Sequence, residues 1–310
     1  MLGVWRLQLL REVARRGTIK AAAAALSVTP SAVSQQLKVL EAEAGVPLLE
    51  HHGRLVRLTP AGELLVRHAD TITAAIAAAE SDLAATRDEV TGTLRVAAFP
   101  TAARAILPAA IVGLGRRHPS VRVTLRDLET RESLAALATD EIDLAVVDEY
   151  DELTRIRERG IDLVPLFRDP IRVALPLEDG EVHASPEAGP VPLAALRDRA
   201  WIMDTESSAI HEAVVRACRR SGFEPVARSH CKDYGVIIAL VEAGLGAAFL
   251  PGLALRDRPI RATVVPFEPP LERRVLVALK PERRGHPAVA ALVDELRATS
   301  PGNADTVQLS

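Results

Sequence analysis

Residues 17–44 read GTIKAAAAALSVTPSAVSQQLKVLEAEA, and the breakers and apolar positions within them decide the N-terminal fold. Gly17 ends a helix expected over about Leu2–Arg16, and Thr18 is placed to cap an alanine-rich second helix, Ile19 to Leu26, because its hydroxyl can accept from an otherwise unpaired first-turn N–H. Ser27-Val28 makes a tight turn. Thr29-Pro30 then sets a capping hydroxyl before a proline at the first helical position, where a missing N–H costs nothing. Along the third helix Val33, Leu37, Leu40 and Ala44 recur at three-to-four spacing and face inward with Ala23, Leu26 and Val28, leaving Ser31, Ser34, Gln35 and Lys38 outside. Three helices joined this way make a helix-turn-helix. Its short polar face, with Thr29 at the N-terminal end, suits a major groove, although a solvated face gives the same pattern.

The flanking text bears on that choice. Gly45-Val46-Pro47 ends the third helix, and Leu48-Leu49-Glu50 and Leu55-Val56-Arg57-Leu58 read as two short strands around the turn His51-His52-Gly53-Arg54. Such a hairpin is a wing, with Arg54 and Arg57 placed to meet phosphates. Eight Lys or Arg and four Asp or Glu fall in residues 1–60, a balance of +4, which leaves −7 on the other 250 residues of a chain whose total is −3. A basic head on an acidic body points to a polyanion partner for the head, though the excess is modest.

Further on, Thr59-Pro60 repeats the cap-then-proline signal, and one helix is expected from Pro60 toward Glu89. Its stripe, Leu65, Ala69, Ile72, Ile76, Ala79 and Leu83, keeps a heptad period, which fits helix-to-helix dimer contact through residues 60–89 better than packing on a domain of its own chain. From Thr93 strands alternate with helices: Leu94–Ala98, a helix over Thr101–Arg117, Val121–Leu128, a helix over Arg131–Asp140, and Ile142–Val147. A second set runs from Leu163–Pro176 through Ala247–Leu250, and Val264–Phe267, Arg273–Leu279 and a helix over Pro287–Ala298 follow. This is an α/β body of βαβ units around a parallel sheet.

The N-terminal 60 residues resemble the LysR-type transcriptional regulators. Gly17-Thr18, Ala22-Ala23-Ala24-Ala25-Leu26, Val28-Thr29-Pro30-Ser31-Ala32-Val33-Ser34-Gln35-Gln36-Leu37, Leu40-Glu41, Gly45-Val46-Pro47-Leu48-Leu49 and Arg57-Leu58-Thr59-Pro60-Ala61-Gly62 carry the likeness. Leu49 and His51 stand where the family usually has Phe and Arg. The resemblance implies a winged helix-turn-helix over 1–59 and a linker and dimerisation helix over 60–91. It also implies an effector-binding domain over 92–300 that looks like a two-lobed periplasmic binding protein. Lobe one is then 93–165 with 269–300, lobe two 166–268, with crossings near Leu166-Phe167 and Phe267, and 301–310 a disordered tail. It further implies a homodimer or homotetramer, an inverted-repeat promoter in double-stranded DNA, and a small-molecule effector.

Ligands of open α/β sheets settle beyond the carboxyl ends of strands. Phe99, Thr101, Ala102, Thr130, Glu149, Phe167, Thr205, Ser207 and His230 fall at such ends or at a crossing and are the candidate effector residues. The aromatics among them equally fit core packing, and Thr101 and Ser207 equally fit plain capping. Free N–H groups at Thr101 and Ala102 favour a small organic anion, whereas Glu129, Asp148, Glu149, Glu206 and Asp233 nearby favour an amine or zwitterion.

Exclusions narrow the rest. Composition is ordinary for a globular chain, at 48% hydrophobic and 25% charged. Two cysteines, Cys218 and Cys231, are too few for a disulfide scaffold, and His211, His230 and Cys231 lack a tight ligand spacing, so neither metal nor cofactor is expected. Arg6, Arg11, Glu12 and Arg15 interrupt any N-terminal apolar run, and Glu242, four glycines and Pro251 interrupt Gly235–Leu255. A cytoplasmic protein with no membrane contact is the expectation. Gly-x-Ser-x-Gly, Walker A, HExxH and a full GxGxxG are absent, which argues against an enzyme. The rival reading is a cytosolic binding protein or enzyme with an accessory DNA-binding head.

Overall fold

A computed structural model describes residues 2–52, 55–85, 90–177, 189–256 and 259–301. The chain forms two compact units, one over Met1–Asp88, with Glu282–Pro287 grouped to it, and one over the remainder from Glu89.

The first unit holds α1 (Val4–Arg16), α2 (Ile19–Ala25), α3 (Pro30–Ala44), the antiparallel hairpin β1 (Leu49–His52) and β2 (Leu55–Leu58), and α4 (Pro60–Ala85). The caps are the expected ones: Thr18 Oγ1 accepts from Ala21 N and Thr29 Oγ1 from Ala32 N, each at 3.2 Å. Val33, Leu37 and Leu40 are buried with Leu7, Leu10, Val13 and Ala23. Glu41 Oε1 accepts from Leu48 N at 2.8 Å and Leu49 N at 3.1 Å, tying the end of α3 to the wing.

The stripe of α4 divides. Ala69 is wholly buried in this unit's core, with Leu65 and Ile72 packed against it, whereas Ile76 and Ala79 are exposed. Leu83's side chain, Arg54 and 302–310 lie outside what is described. The expected dimer seam is therefore cut short, because α1 presents an apolar face that covers the first half of the stripe.

In the second unit β3 (Gly92–Ala98), α5 (Pro100–Ala105), α6 (Leu107–Arg117), β4 (Val121–Asp127), α7 (Thr130–Ala138) and β5 (Leu144–Tyr150) lead to a long strand, β6 (Asp162–Leu175). The single helix expected over Thr101–Arg117 is two, since Pro108 lacks the N–H an unbroken helix would use. Next come β7 (Val191–Pro192), β8 (Trp201–Met203), α8 (Ala209–Arg220), β9 (Ala227–His230), α9 (Tyr234–Glu242), β10 (Ala247–Pro251), α10 (Gly252–Leu255), β11 (Thr263–Val265), β12 (Phe267–Glu268), β13 (Glu272–Leu279) and α11 (Pro287–Ala298).

One sheet runs β4-β3-β5-β13-β6-β10-β8-β9. The parallel expectation holds for β4-β3-β5 and β10-β8-β9, but β13 runs antiparallel to β5 and β6, and β10 antiparallel to β6. The first half of β6 pairs with β13, and from Ile171 it pairs with β10. This strand therefore carries the chain from one lobe to the other. Strand alternation fills both faces of lobe one: Val96, Val146 and Val277 point to α6 and α11, while Ala145, Val147 and Leu276 point to α7. Leu253 of α10 joins the first-lobe core, although its sequence position falls in lobe two. In Gly244-Leu245-Gly246, Gly244 has φ +78, and a Cβ on Gly246 would lie 2.6 Å from Ala200 O. The two glycines end a helix and admit a strand, as their order in the sequence implies.

Candidate functional site

On the first unit, Ser31, Gln35 and Lys38 project from α3 into solvent and Ser34 is half-buried. Thr29 Oγ1 lies 3.1 Å from Ser31 Oγ, so the hydroxyl that caps α3 also orders its first outward residue. Arg57 is exposed on β2 opposite Glu50. The basic excess of this unit is unevenly committed. Arg6 pairs with Glu43, Arg11 with Asp70, and Arg15 and Arg16 with Glu12. Lys20, Lys38 and Arg57 form no ion pair among the described residues. Three cations and the positive end of the α3 dipole are thereby available to phosphates. Lys20, at the start of α2, was missed in the sequence because no periodicity marks it.

In the second unit β13, the crossing strand and the carboxyl ends of β3, β4 and β5 bring together a buried charge cluster. Arg273, 3% exposed, is its centre: Nη2 lies 2.7 Å from Asp169 Oδ2 and donates to Thr101 Oγ1 at 2.8 Å, and Nη1 donates to Asp148 Oδ2 at 3.2 Å. The guanidinium stands 4.7 Å above the Phe99 ring. Burial works against its charge, but Tyr150, Asp169 and Asp148 outweigh this and hold its pKa above the ordinary arginine value. Thr130 Oγ1 donates to Asp148 Oδ1 at 2.6 Å and accepts from Asp148 N at 3.1 Å. Tyr150 Oη donates to Asp148 at 3.3 Å. Asp169 Oδ1 accepts from Leu253 N at 3.1 Å, and Arg104 donates to the carbonyls of Leu253 and Ala254.

From lobe two, Asp204 Oδ1 accepts from Thr205 N at 2.6 Å and Thr205 Oγ1 at 3.2 Å. Burial pushes the Asp204 carboxyl up, against hydrogen bonds from Thr205, Ser208 and Tyr234. Both His211 Nδ1 and His230 Nδ1 lie within 3.2 Å of the Asp204 carbonyl, which only accepts, so both rings carry their proton on Nδ1. Lys232 Nζ stands 3.6 Å from Glu129 Oε1 across the lobes. Glu129's carboxyl is pushed up by burial and by Asp148.

Of the candidate effector residues, Phe99, Thr101 and Thr130 converge on the Arg273 cluster, and Thr205 and His230 on Asp204. Glu149 does not join them: on β5 it faces away from Asp148, pairing with Arg274 and accepting from Ile156 N at 2.7 Å. Phe167 packs against the first-lobe core. Ala102 is wholly buried. Ser207 is exposed, and Ser208 caps α8 in its place, accepting from His211 N at 3.2 Å. The basis for an anion weakens, since α5 is six residues long, begins with a proline, and has its threonine hydroxyl engaged by Arg273. Arg273 itself escaped the sequence reading, yet it left a signal: in Glu272–Leu279 the period of two puts Arg273 on the same face as Val275, Val277 and Leu279. Among the described residues, no group of three or more His, Cys, Asp or Glu is placed to hold a metal ion, and no helix is long and apolar enough to cross a membrane.

Two family models match the chain: "Bacterial regulatory helix-turn-helix protein, lysR family" over residues 5–63 and "LysR substrate binding domain" over residues 87–301. Over 283 residues it is 30% identical to the transcriptional dual regulator GltC of Bacillus subtilis (strain 168), covering 90% of this chain and 91% of that one. A probable hydrogen peroxide-inducible genes activator of Mycobacterium avium is 28% identical over 254 residues, 81% of this chain and 77% of the relative. Among solved structures, full-length OxyR from Pseudomonas aeruginosa superposes with a TM-score of 0.71 at 23% identity, covering 96% and 95% of the two chains. Full-length CbnR in complex with its target DNA does so with 0.52 at 24%, covering 96% and 99%. At these identities the structural likeness is one of fold.

Proposed function

Because this chain belongs to the LysR family of bacterial transcriptional regulators, we propose that its α3 reads promoter DNA through Ser31, Ser34, Gln35 and Lys38 while the wing, with Arg54 and Arg57, holds phosphates. The family membership makes it a DNA-binding transcriptional regulator with an effector-binding domain. The observation that carries the finer reading is the exposed polar face of α3, with Lys38 and Arg57 free of ion pairs among the described residues. Its relatives are regulators, so a reaction catalysed by the second unit has no support from them, and work in the cytoplasm follows from the DNA target. A dimer through the exposed end of α4 fits an inverted repeat. The effector, a small organic molecule on this reading, binds between the lobes, where Glu129 of lobe one stands 3.6 Å from Lys232 of lobe two.

A thiol sensor of peroxide is the competing reading, and Cys218 does not suit it. Cys218 is buried in the lobe-two core, and burial pushes its thiol up to about 12, whereas a sensing thiol must ionise near neutral pH.

Gel-shift and footprinting of the full chain on genomic fragments test the DNA reading. A Ser34→Ala, Gln35→Ala, Lys38→Ala variant is expected to lose discrimination of about 1–3 kcal/mol per misread base pair. Arg57→Ala is expected to weaken all sequences alike and to flatten the salt dependence by about one unit of slope. Unchanged operator affinity in the triple variant would refute the assignment.

A further inference from the structure

Leu48 and Leu49, where the chain enters the hairpin, both send their amides back to α3. Glu41 Oε1 accepts from Leu48 N at 2.8 Å and from Leu49 N at 3.1 Å, and the carbonyl of the same residue accepts from Gly45 N at 2.9 Å. Glu41 thus closes its own helix with one oxygen and takes hold of the following strand with another. Gly45 makes the reversal between them possible. Its φ of +71° lies in the left-handed region, which turns the chain so that a side chain of the last helical turn meets amides beyond the helix.

Other elements hold the hairpin elsewhere. Val56 N donates to Gly17 O at 3.0 Å, at the end of α1, and Thr59 N donates to Leu48 O at 3.0 Å, at the start of α4. Neither bond reaches α3, so the setting of β1 against that helix falls to the Glu41 carboxylate. Leu48 is 1% exposed, and its amide has little water to turn to if this acceptor is lost; an ionised acceptor also makes the stronger bond. Arg57 stands on β2 opposite Glu50 of β1, so a shift of β1 carries Arg57 with it.

We propose that Glu41 is a positioning residue for DNA recognition: it fixes the hairpin, and Arg57 with it, against α3, so that the wing meets phosphates while the helix meets base edges. This rests on α3 and the wing being the DNA-binding surface. The sign of its charge separates this role from plain electrostatics. A carboxylate on a unit that binds a polyanion weakens binding through its charge, so removing that charge alone raises affinity. Removing a carboxylate that holds Arg57 in place does the reverse. Glu41→Gln takes away the charge and keeps an oxygen for the two amides, Glu41→Asp keeps the charge and withdraws the oxygen by one methylene, and Glu41→Ala removes both.

The test is gel-shift titration of the full chain at several salt concentrations, on a genomic fragment that the wild type retains. Glu41→Gln should bind at least as tightly as the wild type. Glu41→Ala should bind about tenfold or more weakly, with a salt slope lower by about one, and adding Arg57→Ala to it should cost less than adding Arg57→Ala to the wild type. Hydrogen exchange read by peptide mass should show faster exchange over β1 and β2 of Glu41→Ala and unchanged exchange over α1 and α3. If α3 is exposed as well, the comparison passes to Glu41→Asp, which should bind more weakly than Glu41→Gln despite its milder change. Affinity unchanged or raised in Glu41→Ala, an Arg57→Ala cost that is the same with and without Glu41, or Glu41→Asp binding as tightly as Glu41→Gln overturns the proposal and leaves the wing reading standing. A wild type that retains no fragment, or an Arg57→Ala variant that binds like the wild type at every salt concentration, overturns the wing reading and this proposal with it.

Discussion

Arg273 shows how a single side chain can tie distant segments of the chain together. It sits on β13, its carboxylate partner Asp169 sits on the strand that crosses to the second lobe, and Asp169 in turn accepts from the Leu253 amide of α10. A buried ion pair of this kind is weak evidence of net stability, but removing one member leaves the others charged and unpaired. Arg273→Ala is therefore expected to cost the second unit about 3–5 kcal/mol. The measurement is available because the chain has two tryptophans, Trp5 at 46% exposure and Trp201 at 0%. In a Trp5→Phe background Trp201 alone reports, and a urea transition unmoved by Arg273→Ala would show that the cluster bears no load. Cys218 gives a second prediction at this scale: with its thiol held at about 12, iodoacetamide at neutral pH should leave it unmodified until the protein unfolds, as read by peptide mass.

Among the elements, α4 carries two duties that its heptad period did not separate. Its start is pinned to the turn after α3: Thr59 N donates to Leu48 O at 3.0 Å, Thr59 Oγ1 donates to Pro47 O at 2.8 Å, and that hydroxyl accepts from Gly62 N at 3.0 Å. A Cβ on Gly62 would stand 2.2 Å from Leu48 O. Gly62→Ala must therefore push a backbone carbonyl, and a loss of about 1–3 kcal/mol is expected from the first unit's melt. Farther along, Ile76 is 37% exposed beyond the part of the stripe that α1 covers. Ile76→Asp should yield a monomer by light scattering with the first unit still folded, whereas Ile72→Asp, aimed at the same dimer, would damage the core on which Ile72 packs. A parental mass for Ile76→Asp would remove α4 from the dimer. The period of this helix was legible from the sequence. Which half of it faced its own chain was not, because that depends on where α1 lies.

Across the second unit two partly buried acids tie stability to pH. Burial raises the carboxyl pKa of Glu129, aided by Asp148, and that of Asp204. An acid whose folded pKa is raised favours the native state below its unfolded value, near 4, and that contribution is lost as pH rises through the folded value. These two groups thus oppose folding once both are ionised. Glu129→Gln, which cannot ionise, should therefore lose less of its urea stability than the wild type as pH rises from about 4 to 7, read from Trp201 fluorescence in the Trp5→Phe background. An identical loss in both proteins would show that Glu129 makes no such contribution.

The sequence alone determined the helix-turn-helix, its caps and the existence of a two-part α/β body, because these rest on local spacing: a threonine before a proline, an apolar residue every three or four, and strands set off by glycine and proline. It also placed Thr101 and Thr130 at strand ends, from which they bond Arg273 and Asp148 respectively. Only the tertiary structure decided what those residues face. Asp148 and Asp169 reach Arg273 from positions more than a hundred residues away in the chain, Glu149 turns away by the pleat of a strand whose register no local pattern sets, and β13 inserts antiparallel between β5 and β6. Local chemistry fixes which elements form, whereas the charge of a crevice is a sum over side chains that only the completed sheet brings together.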